Sequence, residues 1–266
     1  MSKLHAGLDT GLKGRTALVC GASSGIGAAA ARILAEQGAR VVALARREEP
    51  LKKLIDQLPG SGHQFLVCDL SYREELRAKI TALVKEIGPI EILICNSSGP
   101  KAGPIVDATE ESFLNTFGQH LLASQTLVQV LLPGMKERGY GRIVNVISTS
   151  VKIPIANLGV SNTIRGAVAS WAKTLSLEVA ASGITVNSVL PGYTETERLA
   201  ELLKNAAAAQ NRPESDIASD WKNATPMKRF AKPHEVAAAI GFFASPAASY
   251  ITGVAMPVDG GRTGSI

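Results

Sequence analysis

The sequence predicts an α/β fold, with a single domain built on a doubly wound parallel sheet of about seven strands and helices on both faces. Two observations carry this prediction. Short β-branched runs alternate along the chain with longer helical patterns. These runs are apolar on both faces, which is typical of parallel strands buried between two layers of helices.

Six strands and five helices are assigned from these patterns. The strands are predicted at 16–20, 40–45, 65–70, 91–96, 142–148 and 185–190, and the helices at 25–37, 48–57, 71–87, 109–136 and 161–181. The third helix opens with Ser71 and Glu74, which have the spacing of a capping box.

Residues 1–266 are assigned to one domain, because the chain contains neither an internal repeat nor a low-complexity linker. Residues 1–13 are predicted to be an N-terminal extension before the first strand. Residues 197–225 interrupt the alternation of strands and helices. They follow the end of a strand, where open α/β sheets bind their ligands. We expect this segment to form a substrate lid, and the alternative is a surface excursion without a role.

Composition excludes several classes of function. The chain is 45% hydrophobic and 19% charged, as soluble globular domains are. Its net charge is +5, but the basic residues are scattered and aromatic residues make up only 5%, so no nucleic-acid partner is expected. No signal peptide or membrane span is recognisable. Cys20, Cys68 and Cys95 lack metal-site or disulfide spacing, which favours reduced thiols in a cytoplasmic protein without a bound metal.

A glycine-rich turn joins the first predicted strand to the first predicted helix. Glycines at this place allow a tight turn, close approach of a pyrophosphate and packing of the helix on the sheet. The amino end of the helix adds free N–H groups and the positive end of its dipole. Within one βαβ unit, this is the Rossmann-type signature of a dinucleotide site. The predicted contacts are Gly21, Ser23, Ser24, Gly25, Ile26 and Gly27.

The end of the second strand indicates which dinucleotide binds. An NAD site places a carboxylate there for the ribose 2′-hydroxyl, whereas this chain has Ala45 followed by Arg46 and Arg47. Two cations in place of the carboxylate favour a 2′-phosphate, and so NADP(H). The alternative is that both arginines are merely solvated.

The turn "GASSGIG" (21–27) strongly resembles the short-chain dehydrogenase/reductase family, and other segments agree with it in order and spacing. They are "CNSSG" (95–99), "GRIVNVIS" (141–148), "VLPGYTET" (189–196) and "YITGVAMPVDGG" (250–261), the last similar to the family's closing strand. The matches cover nearly the whole chain. They look most like the 3-oxoacyl-acyl carrier protein reductases of this family.

The resemblance implies further cofactor contacts. Asp69, with Leu70 beside it, resembles the aspartate that meets the adenine, and Asn96 is the retained asparagine of segment 95–99. The family's Pro-Gly segment passes the nicotinamide. The residues expected to bind the cofactor at this end are Arg165, Pro191, Gly192, Thr194 and Thr196.

Of the family's Asn-Ser-Tyr-Lys tetrad, only the serine, Ser148, is retained. The family's tyrosine lies thirteen residues beyond this serine and its lysine four residues later, so Ser161 and Arg165 occupy those two positions. Counting back from "LLP" (131–133), His120 occupies the asparagine position. The candidate catalytic residues are Ser148, Ser161, Arg165 and His120.

These substitutions remove the phenol that serves the family as proton donor. A serine hydroxyl binds an oxygen but is a poor acid, and the guanidinium of Arg165 stays charged, so it grips hydroxyls or a carboxylate without relaying a proton. His120 is a candidate acid because its ordinary pKa is about 6.5. The alternative, which we favour, is a structural histidine bonded to a backbone carbonyl. Tyr193 is a second candidate acid, with simple packing as the favoured alternative.

Two functional hypotheses follow. The first is an NADP(H)-dependent oxidoreductase that reduces a carbonyl or activated enone, 3-oxoacyl-like and possibly acyl-linked, with a non-standard proton donor. The second is a catalytically inactive dinucleotide-binding homologue that acts as a sensor or as a partner subunit. By resemblance, either would form a homodimer or homotetramer, with interfaces in the apolar patterns at 109–132 and 166–180.

Overall fold

A computed structural model describes residues 9–264. Its seven strands form one parallel sheet in the order β3-β2-β1-β4-β5-β6-β7, which confirms the predicted doubly wound Rossmann-type fold. The strands are β1 (Thr16–Cys20), β2 (Arg40–Ala45), β3 (Gln64–Val67), β4 (Ile92–Cys95), β5 (Gly141–Val146), β6 (Ile184–Pro191) and β7 (Ala255–Val258).

Nine α-helices connect or follow these strands within the described residues. They are α1 (Gly25–Glu36), α2 (Glu48–Asp56), α3 (Arg73–Ile87), α4 (Glu110–Phe117), α5 (Ala123–Arg138), α6 (Gly159–Val179), α7 (Glu197–Gln210), α8 (Glu214–Asn223) and α9 (Pro233–Ala244). The sequence patterns did not predict α9. Its proline at the first helical turn and the Glu235 carboxylate on the Lys232 N–H are ordinary signals of a helix start.

Two predicted elements differ in detail. The single helix expected at 109–136 is divided into α4 and α5 by a π-helical turn at Gly118–Leu122. The prediction of a capping box at Ser71 is wrong, because α3 begins at Arg73. The Ser71 N–H instead donates to the Asp69 carboxylate, at 2.9 Å. The aspartate closes a local turn, which delays the start of the helix.

The sheet has an apolar layer on each face, as its doubly wound topology requires. Side chains of α1, α2 and α9 form one layer, exemplified by Leu34, Leu51 and Ile240. Side chains of α3, α5 and α6 form the other. Alanine and valine dominate the first layer, whereas leucine and isoleucine dominate the second.

The strand order reverses at β1, which pairs with β2 on one side and with β4 on the other. The connections from these strands therefore leave in opposite directions, and a crevice opens at the carboxyl edge of the sheet. Residues 197–225, expected to form a lid, contain α7 and α8, which follow the carboxyl end of β6.

The predicted N-terminal extension lies mostly outside the described residues, which begin at Asp9. The visible part packs on the domain: Leu12 is fully buried, and its N–H donates to the Gln37 carbonyl at 2.7 Å. Within residues 9–264, no helix combines the length and apolar character needed to cross a bilayer.

Candidate functional site

A cleft of about 610 Å³ lies at the carboxyl edge of the sheet, above the point where the strand order reverses. The structure brings nearly all of the predicted site residues to its wall. These are Gly21, Ser23, Ser24, Gly25, Ile26, Arg46, Arg47, Asp69, Leu70, Asn96, Ser148, Ser161, Arg165, Pro191, Gly192, Thr194 and Thr196. Only Gly27 and His120 lie behind the wall.

The glycine turn has the geometry that a pyrophosphate needs. Gly21 and Gly25 have φ of +62° and +56°, the left-handed region in which glycine is unstrained. A Cβ on Gly27 would collide with the Gly21 carbonyl oxygen, so this glycine lets α1 pack against the turn. The Asn96 amide bonds the Cys20 carbonyl at 3.3 Å and holds the turn in place.

The amino end of α1 faces the same cleft. Ser24 occupies the N-cap position, but its side chain makes no capping hydrogen bond to the helix. The first N–H groups of α1 are therefore available to an anion, and the helix dipole favours one there. The neighbouring Thr196 caps a different helix, α7, and its methyl group packs against Gly25.

Two exposed cations lie at the end of β2. Arg47 reaches both Ser23 Oγ and the Glu197 carboxylate, each at 3.4 Å. Arg46 lies 3.9 Å from the Asp69 carboxylate. The strand itself ends in Ala45, so no side chain from its last position supplies the carboxylate typical of an NAD site.

The residues predicted to occupy the two altered tetrad positions contact each other on α6. Arg165 donates its Nε–H to Ser161 Oγ at 3.2 Å, and its Nη1 donates to the carbonyls of Val146 and Ile147 at 3.1 and 2.9 Å. The guanidinium thereby ties α6 to the end of β5. Burial, together with repulsion by Arg198, lowers the pKa of Arg165 to about 10, so it is still cationic at neutral pH.

Ser148 follows β5 and lines the same cleft as Ser161. Its Oγ accepts the Ser150 N–H at 3.1 Å, just as Ser161 Oγ accepts the Arg165 Nε–H. Among the described residues, neither hydroxyl donates a hydrogen bond. Each hydroxyl hydrogen is therefore free to point into the cleft.

His120 lies in the π-helical turn, buried behind the cleft beside a separate small cavity. Its Nε2 lies 3.0 Å from the Ser98 carbonyl and its Nδ1 lies 2.9 Å from Ser97 Oγ. Burial, together with repulsion by Arg165, lowers the pKa of His120 to about 3. The imidazole is neutral at pH 7 and both of its nitrogens are engaged, so these surroundings do not support the expectation of an acid near neutral pH. They match the favoured alternative of a histidine bonded to a backbone carbonyl.

Comparison with known proteins agrees with this fold. A family model described as enoyl-(acyl carrier protein) reductase matches residues 21–263. The 3-oxoacyl-acyl-carrier-protein reductase FabG of Vibrio cholerae is 33% identical over 255 residues, which span 94% of this chain and 98% of that protein. The chain belongs to the short-chain dehydrogenase/reductase family.

Solved structures share the fold over nearly the whole chain. YwfH, an NADPH-dependent reductase involved in bacilysin biosynthesis, is 30% identical with a TM-score of 0.90 and covers 96% of this chain and 100% of its own. The L-sorbose reductase of Gluconobacter frateurii, complexed with NADPH and L-sorbose, is 29% identical with a TM-score of 0.90 and covers 97% and 100%.

Tyr193 in this short-chain dehydrogenase/reductase is part of an aromatic cluster. Its ring stacks on Trp221, with ring centroids 4.7 Å apart and planes 5° apart, and its hydroxyl accepts a hydrogen bond from Arg262 at 3.3 Å. Burial raises the pKa of the Tyr193 phenol. Its contacts are those of a packing residue that joins the Pro-Gly segment to α8.

The three cysteines of this short-chain dehydrogenase/reductase are free and buried. Burial raises the pKa of all three thiols, to about 12 for Cys95. They are unreactive at neutral pH because the thiolate is the nucleophile. Residues 9–264 also contain no group of three or more His, Cys, Asp or Glu side chains placed to hold a metal ion.

Sequence reasoning did not single out Arg198, one of several further residues on the wall of the cleft. Arg198, at the start of α7, lies over Gly99 and donates to the Pro100 carbonyl. Its position directly after the Pro-Gly segment was a signal. Nothing local in the sequence shows that it contacts a loop 98 residues away.

Proposed function

We propose that this chain is an NADP(H)-dependent reductase of a carbonyl or activated enone, in which hydroxyl hydrogen bonds replace the family's phenol. The glycine turn and the free amino end of α1 would hold the pyrophosphate, and Arg46 with Arg47 would hold the 2′-phosphate. The descriptions of YwfH and L-sorbose reductase, which both name NADPH, support this cofactor. When bound, NADPH supplies the hydride.

The observation that carries the proposal is the state of two hydroxyls. Ser148 and Ser161 each accept an N–H, so each has its own hydrogen free to donate to a substrate oxygen. Two donors fixed in advance and directed at one oxygen are what stabilises negative charge developing there. The cationic Arg165 behind Ser161 strengthens that donor, because hydrogen bonds to charged groups polarise the hydroxyl.

This donor set suits an enone better than a simple ketone. Hydride addition to a ketone leaves a localised alkoxide, which requires a proton from an acid at the same moment. Hydride addition to the β-carbon of an enone moves the double-bond pair toward the carbonyl and leaves a delocalised enolate. Hydrogen bonds from Ser148 and Ser161 stabilise the enolate oxygen, and water then protonates the α-carbon.

The segment formed by α7 and α8 would act as the lid of this site. Arg198 and Leu199 of α7 line the cleft, and Tyr193 stacks on Trp221 of α8. The lid is thereby attached to the Pro-Gly segment. A segment in this position can close over the bound substrate.

The test is NADPH oxidation with matched substrates: cyclohexenone against cyclohexanone, and a crotonyl thioester against an acetoacetyl thioester. We expect the enone of each pair to react faster. Ser148→Ala and Ser161→Ala should each lower kcat/KM roughly a hundredfold. Thr163→Ala, also on α6 but bonded to the Gly159 carbonyl, is the control. Unchanged rates in both alanine variants would contradict the proposal, and faster ketone reduction would contradict the preference for enones.

The alternative function is a non-catalytic dinucleotide-binding homologue, a sensor or partner subunit. The observations that favour it are the replacement of three tetrad residues and the neutral, fully bonded His120. Tight NADPH binding in calorimetry, no turnover across the substrate panel and stable co-purification with another reductase would support it.

We also propose that the protein forms a homodimer or homotetramer. Leu114 on α4 and Leu177 on α6 are exposed over 62% and 71% of their surface, within the two apolar patterns expected to form interfaces. Sedimentation equilibrium tests this, and a monomer at micromolar concentration would contradict it.

A further inference from the structure

Glu197, the first residue of α7, places its carboxylate on two residues that the proposed function gives to the cofactor. Its Oε2 accepts hydrogen bonds from Arg47 Nη2 and from Ser24 Oγ, each at 3.4 Å. Arg47 follows β2 and Ser24 precedes α1, so one side chain of α7 bridges two other elements on the wall of the cleft. The guanidinium proposed to hold the 2′-phosphate therefore has an anionic partner within the protein.

The contact between Glu197 and Arg47 is made by side chains alone. Glu197 is exposed over 73% of its side chain and Arg47 over 53%, so their ion pair is solvated and weak. The backbone of α7 is fixed separately at this end, because Thr196 caps the helix by accepting the Leu199 N–H at 3.3 Å. The Glu197 carboxylate can therefore leave Arg47 by rotation of its own side chain.

The second arginine after β2 has a carboxylate of a different kind. Asp69 lies 3.9 Å from Arg46, but it also accepts the backbone N–H of Ser71 at 2.9 Å and is only 25% exposed. That backbone bond holds the Asp69 carboxylate in place. Of the two carboxylates near these arginines, Glu197 is the one that an incoming anion can displace.

A second cavity gives the Glu197 side chain another place to go. This groove of about 530 Å³ shares residues 23–25 and 196–197 with the cleft, so Glu197 lines both. Arg32 of α1 and His234 of α9 also line the groove. The side chain therefore has room, and basic neighbours, on the side away from Arg47.

NADPH and NADH differ only in the 2′-phosphate, and so they affect Glu197 differently. A phosphate monoester carries about two negative charges and three acceptor oxygens, which bind a guanidinium but repel a carboxylate on the same group. NADH brings no anion to Arg47, so Glu197 can stay and keep the guanidinium paired. Glu197 therefore opposes the binding of NADPH and not that of NADH.

We propose that Glu197 sets how strongly the cleft prefers NADPH over NADH, as a counter-ion of Arg47 that the 2′-phosphate must displace. This inference rests on the proposed function in one respect, the assignment of the 2′-phosphate to Arg47. The arginines after β2 create the preference for NADPH, and Glu197 lowers it. With Glu197 present, the site also accommodates NADH, because Arg47 keeps an anionic partner.

The test is calorimetric titration of the full-length protein with NADPH and with NADH, at about 0.15 M salt so that distant charges are screened. We expect Glu197→Gln to tighten NADPH binding about two- to fivefold, as the loss of an exposed ion pair allows, and to leave NADH binding unchanged. Glu201→Gln is the matched control. It removes the same charge one turn further along α7, where the carboxylate lies 2.8 Å from Arg198, and should not change the ratio of the two affinities.

The variant Arg47→Ala supplies a double-mutant cycle. In its background Glu197→Gln should no longer tighten NADPH binding, because the two substitutions act on one ion pair. This readout separates a counter-ion of Arg47 from a residue that merely shapes α7.

Unchanged or weaker NADPH binding by Glu197→Gln, or equal tightening of both dinucleotides, overturns the role of Glu197. So does an effect that persists without Arg47, or one that Glu201→Gln reproduces. In each case a selective loss of NADPH binding in Arg47→Ala leaves the proposed 2′-phosphate site standing. If Arg47→Ala weakens NADPH no more than NADH, that site fails and this inference fails with it. Binding is measured without substrate, so the result does not depend on reductase turnover.

Discussion

Arg165 donates its Nε–H to the Oγ of Ser161, one turn away on α6, at 3.2 Å. The direction of this bond matters because it leaves the serine hydrogen free for another oxygen. The family places an acidic phenol and an ammonium at these two positions. Here the cation is fixed in the wall by two backbone carbonyls, and the serine hydroxyl that lines the cleft is a short, weakly acidic donor.

Placing the family's tyrosine and lysine at positions 161 and 165 should enable the reduction of ketones. We expect Ser161→Tyr combined with Arg165→Lys to create or raise the reduction of cyclohexanone by NADPH, because the phenol supplies a proton that serine does not. Ser161→Phe with Arg165→Lys has the same bulk without the hydroxyl and should stay inactive. A folded double variant with no gain would show that the cleft differs beyond these two positions.

The arginines after β2 should set cofactor preference. Arg47→Ala is expected to weaken NADPH binding about tenfold or more while changing NADH binding little, because only NADPH carries the 2′-phosphate. Calorimetry with both dinucleotides measures this. Lys52→Ala, which removes an exposed cation of α2 paired with Glu48, is the control. If Arg47→Ala weakened the binding of NADPH and NADH equally, the argument for NADP(H) would fail.

Gly27 should tolerate no side chain. Gly27→Ala places a methyl group against the Gly21 carbonyl, so we expect a loss of about 2 kcal/mol or more in the free energy of unfolding and weaker dinucleotide binding. Gly166→Ala in α6 meets no atom within 4 Å and should be neutral or gain about 0.5–1 kcal/mol. Urea unfolding of both variants measures the difference, and similar stabilities would contradict the packing argument.

His120 should make stability depend on pH. Its pKa is about 3 in the folded protein and ordinary in the unfolded chain, so below pH ~6.5 the unfolded state binds the extra proton. Above that pH, His120 therefore does not lower the free energy of unfolding. As the pH falls toward 3, His120 lowers the free energy of unfolding by ~1.4 kcal/mol per pH unit.

His120→Asn removes this dependence. We expect the wild type to lose about 2 kcal/mol more than the variant between pH 7 and pH 5, measured by urea unfolding at each pH. Parallel pH profiles for the two proteins would mean that His120 is already solvated or charged in the fold.

The features that the sequence predicted well are those that depend on neighbours in the chain. Strand, turn and helix follow one another within β1 and α1, so apolar pattern and glycine spacing were sufficient to predict the turn and its place in the cleft. The arginines after β2 were found for the same reason. Helix α9 was missed although its start signals are local.

By itself, the sequence determined the doubly wound sheet and the glycine turn of the cleft, because periodicity and fixed spacing along the chain encode them. It also predicts that Ser161 stands in place of the family's proton donor. Only the tertiary structure decided the state of the substituted groups: that His120 is buried and neutral, that Ser161 keeps its hydrogen free, and that Arg165 and Arg198 share one wall. The physical reason is that desolvation, hydrogen-bond direction and charge repulsion depend on which distant elements pack together. The spacing of residues along the chain does not show which distant elements pack together.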